Sequence, residues 1–366
     1  MRENRRVKAA TVKTKWIDRR TGDVVVPDKT SAVLVFVNPT SGGRLGPQLL
    51  ENFRKLLNPL QVVDLSKETP EAAFQRFSGK AVRIAVCGGD GTVGWIMNSA
   101  AAAKLTCPVS IFPLGTGNDL SRALNWGGGA TLTSITPECL ARYVSNTLRA
   151  SQASLDRWKV TVTDTATGAV KTFTMNNYVS IGIDAEIGMK FHRERQEHPE
   201  RFTSQGKNVF KYALYGFEGS FEGVPLGDGV TATADGGTPI NVNPHWKGLV
   251  VNNLPCYHGG KDFWGKADGD TLSPVDISDG KLEVMGLSGT FHIGLVHVSL
   301  DSALRLAQPR QVQIRCNGPI CIQIDGEPFD HSACTIDVTL AATYPVLRCP
   351  DGISGDMSGD ESGPEE

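Results

Sequence analysis

Three short glycine-rich runs hold the residues of this sequence best suited to phosphate chemistry. They are Asn38-Pro39-Thr40-Ser41-Gly42-Gly43, Gly88-Gly89-Asp90-Gly91-Thr92 and Gly115-Thr116-Gly117-Asn118-Asp119. Each follows a compact, β-branched apolar run: Ala32 to Val37, Val82 to Cys87 and Val109 to Phe112. Glycine lets the main chain bend sharply and approach a ligand closely, and the amides that open a following helix point at an anion. In an open parallel sheet all three turns leave the carboxyl edge, where ligands bind. A single such turn is simply how a strand reaches a helix; three polar ones on one edge point to a polyphosphate. Neither G-x-x-x-x-G-K-[ST] nor G-x-G-x-x-G after the first strand occurs, which argues against a P-loop ATPase and a dinucleotide dehydrogenase. A nucleotide site without a Walker lysine remains.

Two groups of carboxylates accompany these turns. Asp90 lies inside the second turn, where an isolated Asp commonly bonds its own backbone. Beside phosphates a carboxylate is electrostatically costly unless it faces Mg²⁺ or takes a proton from the attacking group, and the sequence leaves both roles open. The second group, Asp325-Gly326-Glu327-Pro328, ends the apolar run Ile320 to Ile324. It reads equally as an Asp-Gly hairpin turn and as a functional acidic cluster.

The elements around these residues fall into two styles. From Ser31 to about Leu124, short apolar strands alternate with amphipathic helices, such as Leu45, Leu49, Phe53, Leu56 and Leu57 at helical spacing. Thr69-Pro70-Glu71 reads as a helix start, and Val93 to Leu105 as a helix. That alternation favours a parallel sheet covered on both faces. From Trp158 onward, alternating strands dominate: Lys159 to Thr163, Tyr178 to Ile181, Gly248 to Val251, Lys281 to Val284, Gln311 to Ile314 and Ile320 to Ile324. One charged, aromatic interruption from Phe191 to Phe217 reads as helical. The expected fold is α/β, with an N-terminal open parallel sheet carrying helices on both faces and a C-terminal, mainly antiparallel β-sandwich with a helical insertion. The expected domains are a basic arm at 1–30, a nucleotide-binding domain at 31–150, a β-rich domain at 151–348 and an acidic tail at 349–366.

Composition sets the class. The chain has 366 residues with 37 Lys and Arg against 39 Asp and Glu, a balance that disfavours a dedicated nucleic-acid binder. No run approaches the roughly 20 apolar residues of a membrane-spanning helix, and the N-terminus has no apolar core for a secretory signal. The eight cysteines show no C-x-x-C pair and read as reduced, mostly buried thiols of a cytoplasmic protein. Residues 1–20 hold eight basic side chains against two acidic ones, while residues 351–366 hold six acidic and no basic ones. Both ends read first as solvated tails, and the basic arm alternatively as a contact with an anionic membrane surface.

Taken together, these residues resemble the eukaryotic-type diacylglycerol kinases, within the superfamily that includes the sphingosine and ceramide kinases. The resemblance rests on NPTSGG, VCGGDGTVGWIMN (Val86 to Asn98), FPLGTGNDLSRALNWGGG (Phe112 to Gly129) and IDGEPF (Ile324 to Phe329). It extends through IGIDAEIGMKFHRERQEHPERFTSQGKNVFKY, GLVVNNLPCYHGGKDFWG and DGKLEVMGLSGTFHIG. These last segments favour diacylglycerol over a sphingoid acceptor. The resemblance implies a two-domain kinase with ATP and Mg²⁺ in its cleft, making phosphatidic acid. Asn38, Ser41, Gly42, Gly88, Gly89, Gly91, Thr92, Gly115, Thr116, Gly117 and Asn118 would hold the nucleotide. Asp325 and Glu327 are the candidate bases for the lipid hydroxyl, and Asp90 is the third candidate catalytic residue. Asp276 and Asp279 match a stretch that holds a structural Mg²⁺ in bacterial relatives.

Other implications concern the setting. The cysteine-rich fingers and EF-hands of many animal relatives do not precede this catalytic region, so activation through them is not expected, and the layout is closer to compact plant and protist forms. The lipid acceptor implies a peripheral membrane surface as partner, with Trp16, Phe263, Trp264, Lys261 and Lys266 as candidate contacts. Core packing competes with that reading for Phe263 and Trp264. A sphingosine or ceramide kinase and an inactive lipid- or nucleotide-binding regulator are the competing functions; a nicotinamide oxidoreductase lacks its fingerprint.

Overall fold

A computed structural model describes residues 32–42, 45–198, 223–265, 272–297 and 303–350. The basic arm, Gly43, Trp16, Lys266, residues 351–366 of the acidic tail and residues 199–217 of the expected helical interruption lie outside the described residues. The chain divides into two compact units that are discontinuous in sequence: Met1–Leu114, Leu124–Ala153 and Pro345–Glu366 form the first, and Gly115–Ala123 and Ser154–Tyr344 the second.

In the first unit the chain runs β1 (Ala32–Val37), α1 (Leu45–Leu56), β2 (Val62–Asp64), α2 (Pro70–Arg76), β3 (Val82–Gly88), α3 (Asp90–Ala102) and β4 (Val109–Pro113). The strands pair in the order β2-β1-β3-β4, all parallel. Every residue of β1 and β4 is buried, as continuous apolar strands must be when both faces are covered. The Thr69 hydroxyl caps α2 by accepting from the Ala72 N–H at 3.5 Å, with Pro70 at the first helical position. The next helix, α4 (Asp119–Ala123), belongs to the second unit, although a boundary near residue 150 assigns it to the first domain. A fifth, α5 (Pro137–Arg149), packs with α1 on β1, while α2 and α3 pack together and α3 lies on β3. Tyr143 of α5 anchors that side. Its ring meets Phe53, Phe112 and Trp126 edge-on, and its hydroxyl lies 3.1 Å from Ser110 Oγ.

The second unit holds most of β5 (Ser151–Asp164), with β6 (Val170–Met175), β7 (Tyr178–Gly182), α6 (Ile183–Glu197), β8 (Val230–Ala234), β9 (Thr238–Ile240), β10 (Gly248–Asn252) and β11 (Glu283–Leu287). It continues through α7 (Thr290–His297), β12 (Leu304–Ala307), β13 (Gln311–Cys316), β14 (Ile320–Ile324), β15 (Glu327–His331) and most of the last strand, β16 (Cys334–Arg348). One antiparallel sheet has the order β12-β11-β10-β7-β14-β15. Opposite it, β13 pairs with β16 and β8, β8 with β9, and β5 with β16 and β6. Val179, Leu249 and Ile322 from the first sheet meet Trp158, Ile314 and Ile336 from the second in one core, the interdigitation of a β-sandwich.

The outer face of the six-stranded sheet is covered as well. Ile183, Ile187 and Phe191, four residues apart along α6, pack there with Val250, Met285, Phe263 and Trp264. Phe263 and Trp264 are therefore core residues, 1% and 2% exposed, and the expectation that they contact lipid is corrected. The helix begins at Ile183 rather than Phe191, because the apolar run through Ile181 hides the change of period from two to four. The strand expected from Lys281 begins at Glu283 for a related reason: Asp279 and Gly280 make a turn whose N–H groups are held by side chains. No disulfide joins cysteines among the described residues, and most of the eight are buried.

Glu283 is an acidic residue buried in this sheet. It stands directly opposite Asn252 on β10, and both side chains are buried. Gln308 donates to Glu283 Oε1 at 3.1 Å, but Glu283 Oε2 and Asn252 Oδ1 have no donor among the described residues. A proton on Glu283 converts one of two facing acceptors into a donor, and burial pushes this carboxyl up to about 8. Because the folded state keeps a proton that the unfolded chain has lost, this group's contribution falls as pH rises from about 4 to about 8. Glu283→Gln keeps a donor without a titration. Its melting temperature relative to the parent should rise steadily between pH 5 and pH 8 in thermal unfolding scans; a constant difference would contradict a neutral Glu283.

Candidate active site

Two of the glycine turns meet at the carboxyl edge of the parallel sheet. Asn38 follows β1, and its N–H donates to the Cys87 carbonyl at 3.0 Å. Its side chain has two tasks. Oδ1 accepts from the N–H and hydroxyl of Thr40 at 3.1 and 2.7 Å, while Nδ2 donates to Thr92 Oγ1 at 3.1 Å. Ser41 closes the first turn by donating its N–H to the Asn38 carbonyl at 3.2 Å, and Gly42 has φ +68°. Gly88 ends β3, and a Cβ there would lie 2.6 Å from Thr92 Cβ, so the second turn requires glycine at this position. Gly89 caps α3, and Asp90, Gly91 and Thr92 form its first turn. The first N–H groups of a helix have no α-helical acceptor, the arrangement that can seat an anion, and here the Thr92 N–H turns back to the Gly89 carbonyl at 2.9 Å. A recess of about 570 Å³ borders the first turn at Pro39 and is lined further by Arg54, Asp64, Ser66 and Lys67 among others.

The third turn follows β4 and is clasped by its own asparagine. Asn118, at φ +53° and 1% exposed, accepts from the Gly115 N–H and donates to the Gly115 carbonyl, both at 2.8 Å. Thr116 and Gly117 form its tip. Asp119 then accepts the N–H groups of Gly259 and Gly260 at 2.9 and 2.7 Å, while Cys256 Sγ donates to its carbonyl at 3.3 Å. Burial raises the Asp119 carboxyl, against the pull of those amides and of the nearby His258 and Arg122.

The acidic turn is the Asp-Gly hairpin that its sequence allowed. Asp325 and Gly326 are the two central residues of the hairpin joining β14 to β15, at φ +46° and +89°, the pattern of a type I′ turn. The Asp325 carboxylate also reaches back across the sheet. Oδ2 accepts the Asn176 N–H at 2.7 Å, and Oδ1 accepts those of Asn177 and Tyr178 at 2.8 and 3.0 Å. Burial pushes it up to about 6, while these amides and the buried Arg157 draw it back. Arg157 is itself fixed, donating from Nε to Asn176 Oδ1 at 2.8 Å. Glu327, two residues on, opens β15 and is exposed. One carboxylate is thus spent on main-chain amides and the other faces solvent.

Asp276 and Asp279 do not assemble a metal cage. Asp276 Oδ1 accepts the N–H and hydroxyl of Ser278 at 3.0 and 2.8 Å, and Asp279 Oδ1 accepts the Lys281 N–H at 2.9 Å. Both lie close enough to Asp156 to add like charge to a carboxyl that burial has already raised. Among the described residues no group of three or more Asp, Glu, His or Cys side chains is arranged to hold a metal ion.

Sequence reasoning missed a set of buried polar residues: Asp119, Asp156, Asp184, Tyr257 and His258. The Gly-Gly pair after His258 marks a turn, but nothing in the sequence says which carboxylate that turn will meet.

The fold is that of a putative diacylglycerol kinase from Bacillus anthracis str. Sterne, with a TM-score of 0.54 at 20% identity, covering 88% of this chain and 99% of that one. Residues 32–151 match the family model described as diacylglycerol kinase catalytic domain, and residues 174–328 the diacylglycerol kinase accessory domain. Diacylglycerol kinase 1 of Arabidopsis thaliana is 37% identical over 326 residues, which is 86% of this chain and 44% of that protein. Diacylglycerol kinase theta of Mus musculus is 36% identical over 320 residues, 83% and 34% respectively. The chain belongs to the diacylglycerol kinase family, and it spans less than half the length of these relatives.

The two carboxylates of the acidic turn should separate in stability measurements. Asn tolerates the left-handed conformation of residue 325, but its amide nitrogen would confront a backbone N–H. Asp325→Asn should cost about 1–3 kcal/mol in urea unfolding, and Glu327→Gln no more than about 0.5 kcal/mol. Equal losses in the two variants would contradict the distinction.

Proposed function

We propose that this chain transfers the γ-phosphate of ATP to the hydroxyl of diacylglycerol, giving phosphatidic acid and ADP. The observation that carries this reading is the meeting of two glycine turns at Thr92, within a chain that matches both the catalytic and the accessory domain of its family. Phosphoryl transfer needs positioning and charge compensation more than covalent help from the protein. Asn38, Ser41, Gly42, Gly88, Gly89, Gly91 and Thr92, with Gly115, Thr116, Gly117 and Asn118, serve as the phosphate-binding turns for ATP, which enters as its Mg²⁺ complex. Asp90, opening α3 among these amides, is the carboxylate that faces the metal of that substrate.

Glu327 is the better base of the acidic pair, because its carboxylate is exposed while Asp325 is occupied by three amides. In the proposed step the lipid oxygen attacks the γ-phosphorus in line, the bond to the bridging oxygen breaks, and the hydroxyl proton passes to Glu327. Asp325 holds the turn that presents it and is a positioning residue. Lipid access is read as peripheral, with the basic residues 1–30 as one contact; no helix among the described residues is long and apolar enough to cross a membrane.

The test is conversion of dioleoylglycerol to phosphatidic acid in mixed micelles by the purified chain with MgATP, with sphingosine and ceramide as competing acceptors. Phosphatidic acid should be the main product. Asp90→Asn and Glu327→Gln should each lower turnover by roughly a hundredfold or more without a change in melting temperature. Phosphorylation of sphingosine or ceramide in preference to diacylglycerol, or of none of the three, would overturn the reading.

A further inference from the structure

The third glycine turn and the acidic turn both belong to the second unit, and one buried set of hydrogen bonds connects them. Its centre is Asp184, fully buried at the start of α6. Among the described residues, Ser180 Oγ at 2.5 Å, Gln323 Nε2 at 3.4 Å, the Tyr257 hydroxyl and His258 Nε2 donate to its carboxylate. They come from β7, from β14 and from the loop after β10.

Each side of this hub leads to a turn already assigned to chemistry. On one side, His258 is followed by Gly259 and Gly260, whose N–H groups hold Asp119 at the base of the Gly115–Asn118 turn. His258 itself has φ +52° and a side chain only 3% exposed, and its charge also bears on Asp119. On the other side, Gln323 donates to the Tyr178 hydroxyl at 2.6 Å, and the Tyr178 N–H is one of the three that hold Asp325. Gln323 also lies close against α6, where a Cβ on Gly188 would fall 1.8 Å from its Oε1. Two residues after Gln323 the chain enters the Asp325-Gly326 turn.

We propose that Asp184 and His258 are positioning residues that fix the nucleotide turn Gly115–Asn118 and the Asp325–Glu327 turn in one geometry. This rests on the kinase reading above and goes beyond it, since neither residue would touch substrate. A buried network in which every donor has an acceptor rigidifies the elements it joins, and removal of one member leaves the others underpaired. Displacement of a reacting group by about 1 Å can cost about a hundredfold in rate.

Two substitutions at residue 258 separate this role from a merely structural one. His258→Asn suits the left-handed backbone but is too short to reach Asp184. His258→Gln is less suited to that backbone but carries a donor at the distance of Nε2. The measurements are the Kd for a fluorescent ATP analogue, kcat and KM for ATP in phosphatidic acid formation, and the melting temperature. Gln should stay within about threefold of the parent, while Asn and Asp184→Asn should weaken nucleotide binding and lower kcat about tenfold or more, as misplacement requires. Asn equalling or exceeding Gln overturns the proposal, because backbone conformation alone would then explain the residue. So does a fall in melting temperature, or a loss of folded protein, in both variants without the split in Kd and kcat. If the parent binds the analogue but phosphorylates no diacylglycerol, the kinase reading falls and the Kd comparison alone decides the positioning role. If the parent binds no nucleotide, both fall.

Discussion

Buried and half-buried carboxylates that accept main-chain N–H groups from remote segments are the constraint on which the second unit depends. Asp119 holds Gly259 and Gly260, Asp156 holds Gly280, and Asp325 holds Asn176, Asn177 and Tyr178. Burial raises all three, and in each case the amides oppose that rise. A buried carboxylate without such partners would be expensive, and an orphaned loop amide nearly as much so. Together each satisfies the other, and an irregular loop acquires a fixed shape without becoming a strand or helix. The first unit relies on a different device, a parallel sheet whose turns are set by glycine and tied by Asn38 to Thr92.

This division explains why the turns and the loops carry different chemistry. In the proposed function the first two glycine turns offer amides outward, to a ligand, because the start of a helix leaves such groups without α-helical acceptors. The loops of the second unit offer their amides inward, to Asp side chains, and so present their remaining side chains at fixed positions. Glu327 is one of these. Its exposure and the immobility of Asp325 beside it are two consequences of one hairpin turn, which is why a single Asp-Gly-Glu run can serve both structure and the proposed chemistry.

Much of the fold was legible in the sequence. The apolar runs of β1, β3 and β4, the Thr69-Pro70 helix start and the glycine turns rest on local rules of period, capping and backbone freedom. The Asp-Gly hairpin was legible for the same reason. What could not be read was any pairing of distant residues: Asp119 finds its amides 140 and 141 positions away, and Asp325 between 147 and 149. Nothing in a run such as Ile183-Asp184-Ala185 distinguishes a hub of four donors from a solvated carboxylate. For Phe263 and Trp264 the sequence left core packing and lipid contact both open, and only the packing of α6 against them decides for the core.

Amide hydrogen exchange resolved to single residues addresses the carboxylate–amide principle most directly. The N–H groups of Asn176, Asn177, Tyr178, Gly259, Gly260 and Gly280 should exchange as slowly as those of the neighbouring strands, although most lie in loops. Protection at Asn176 to Tyr178 should vanish in Asp325→Asn while that at Gly259 and Gly260 persists. Exchange of all six at the rate of an open loop in the parent protein would contradict the account.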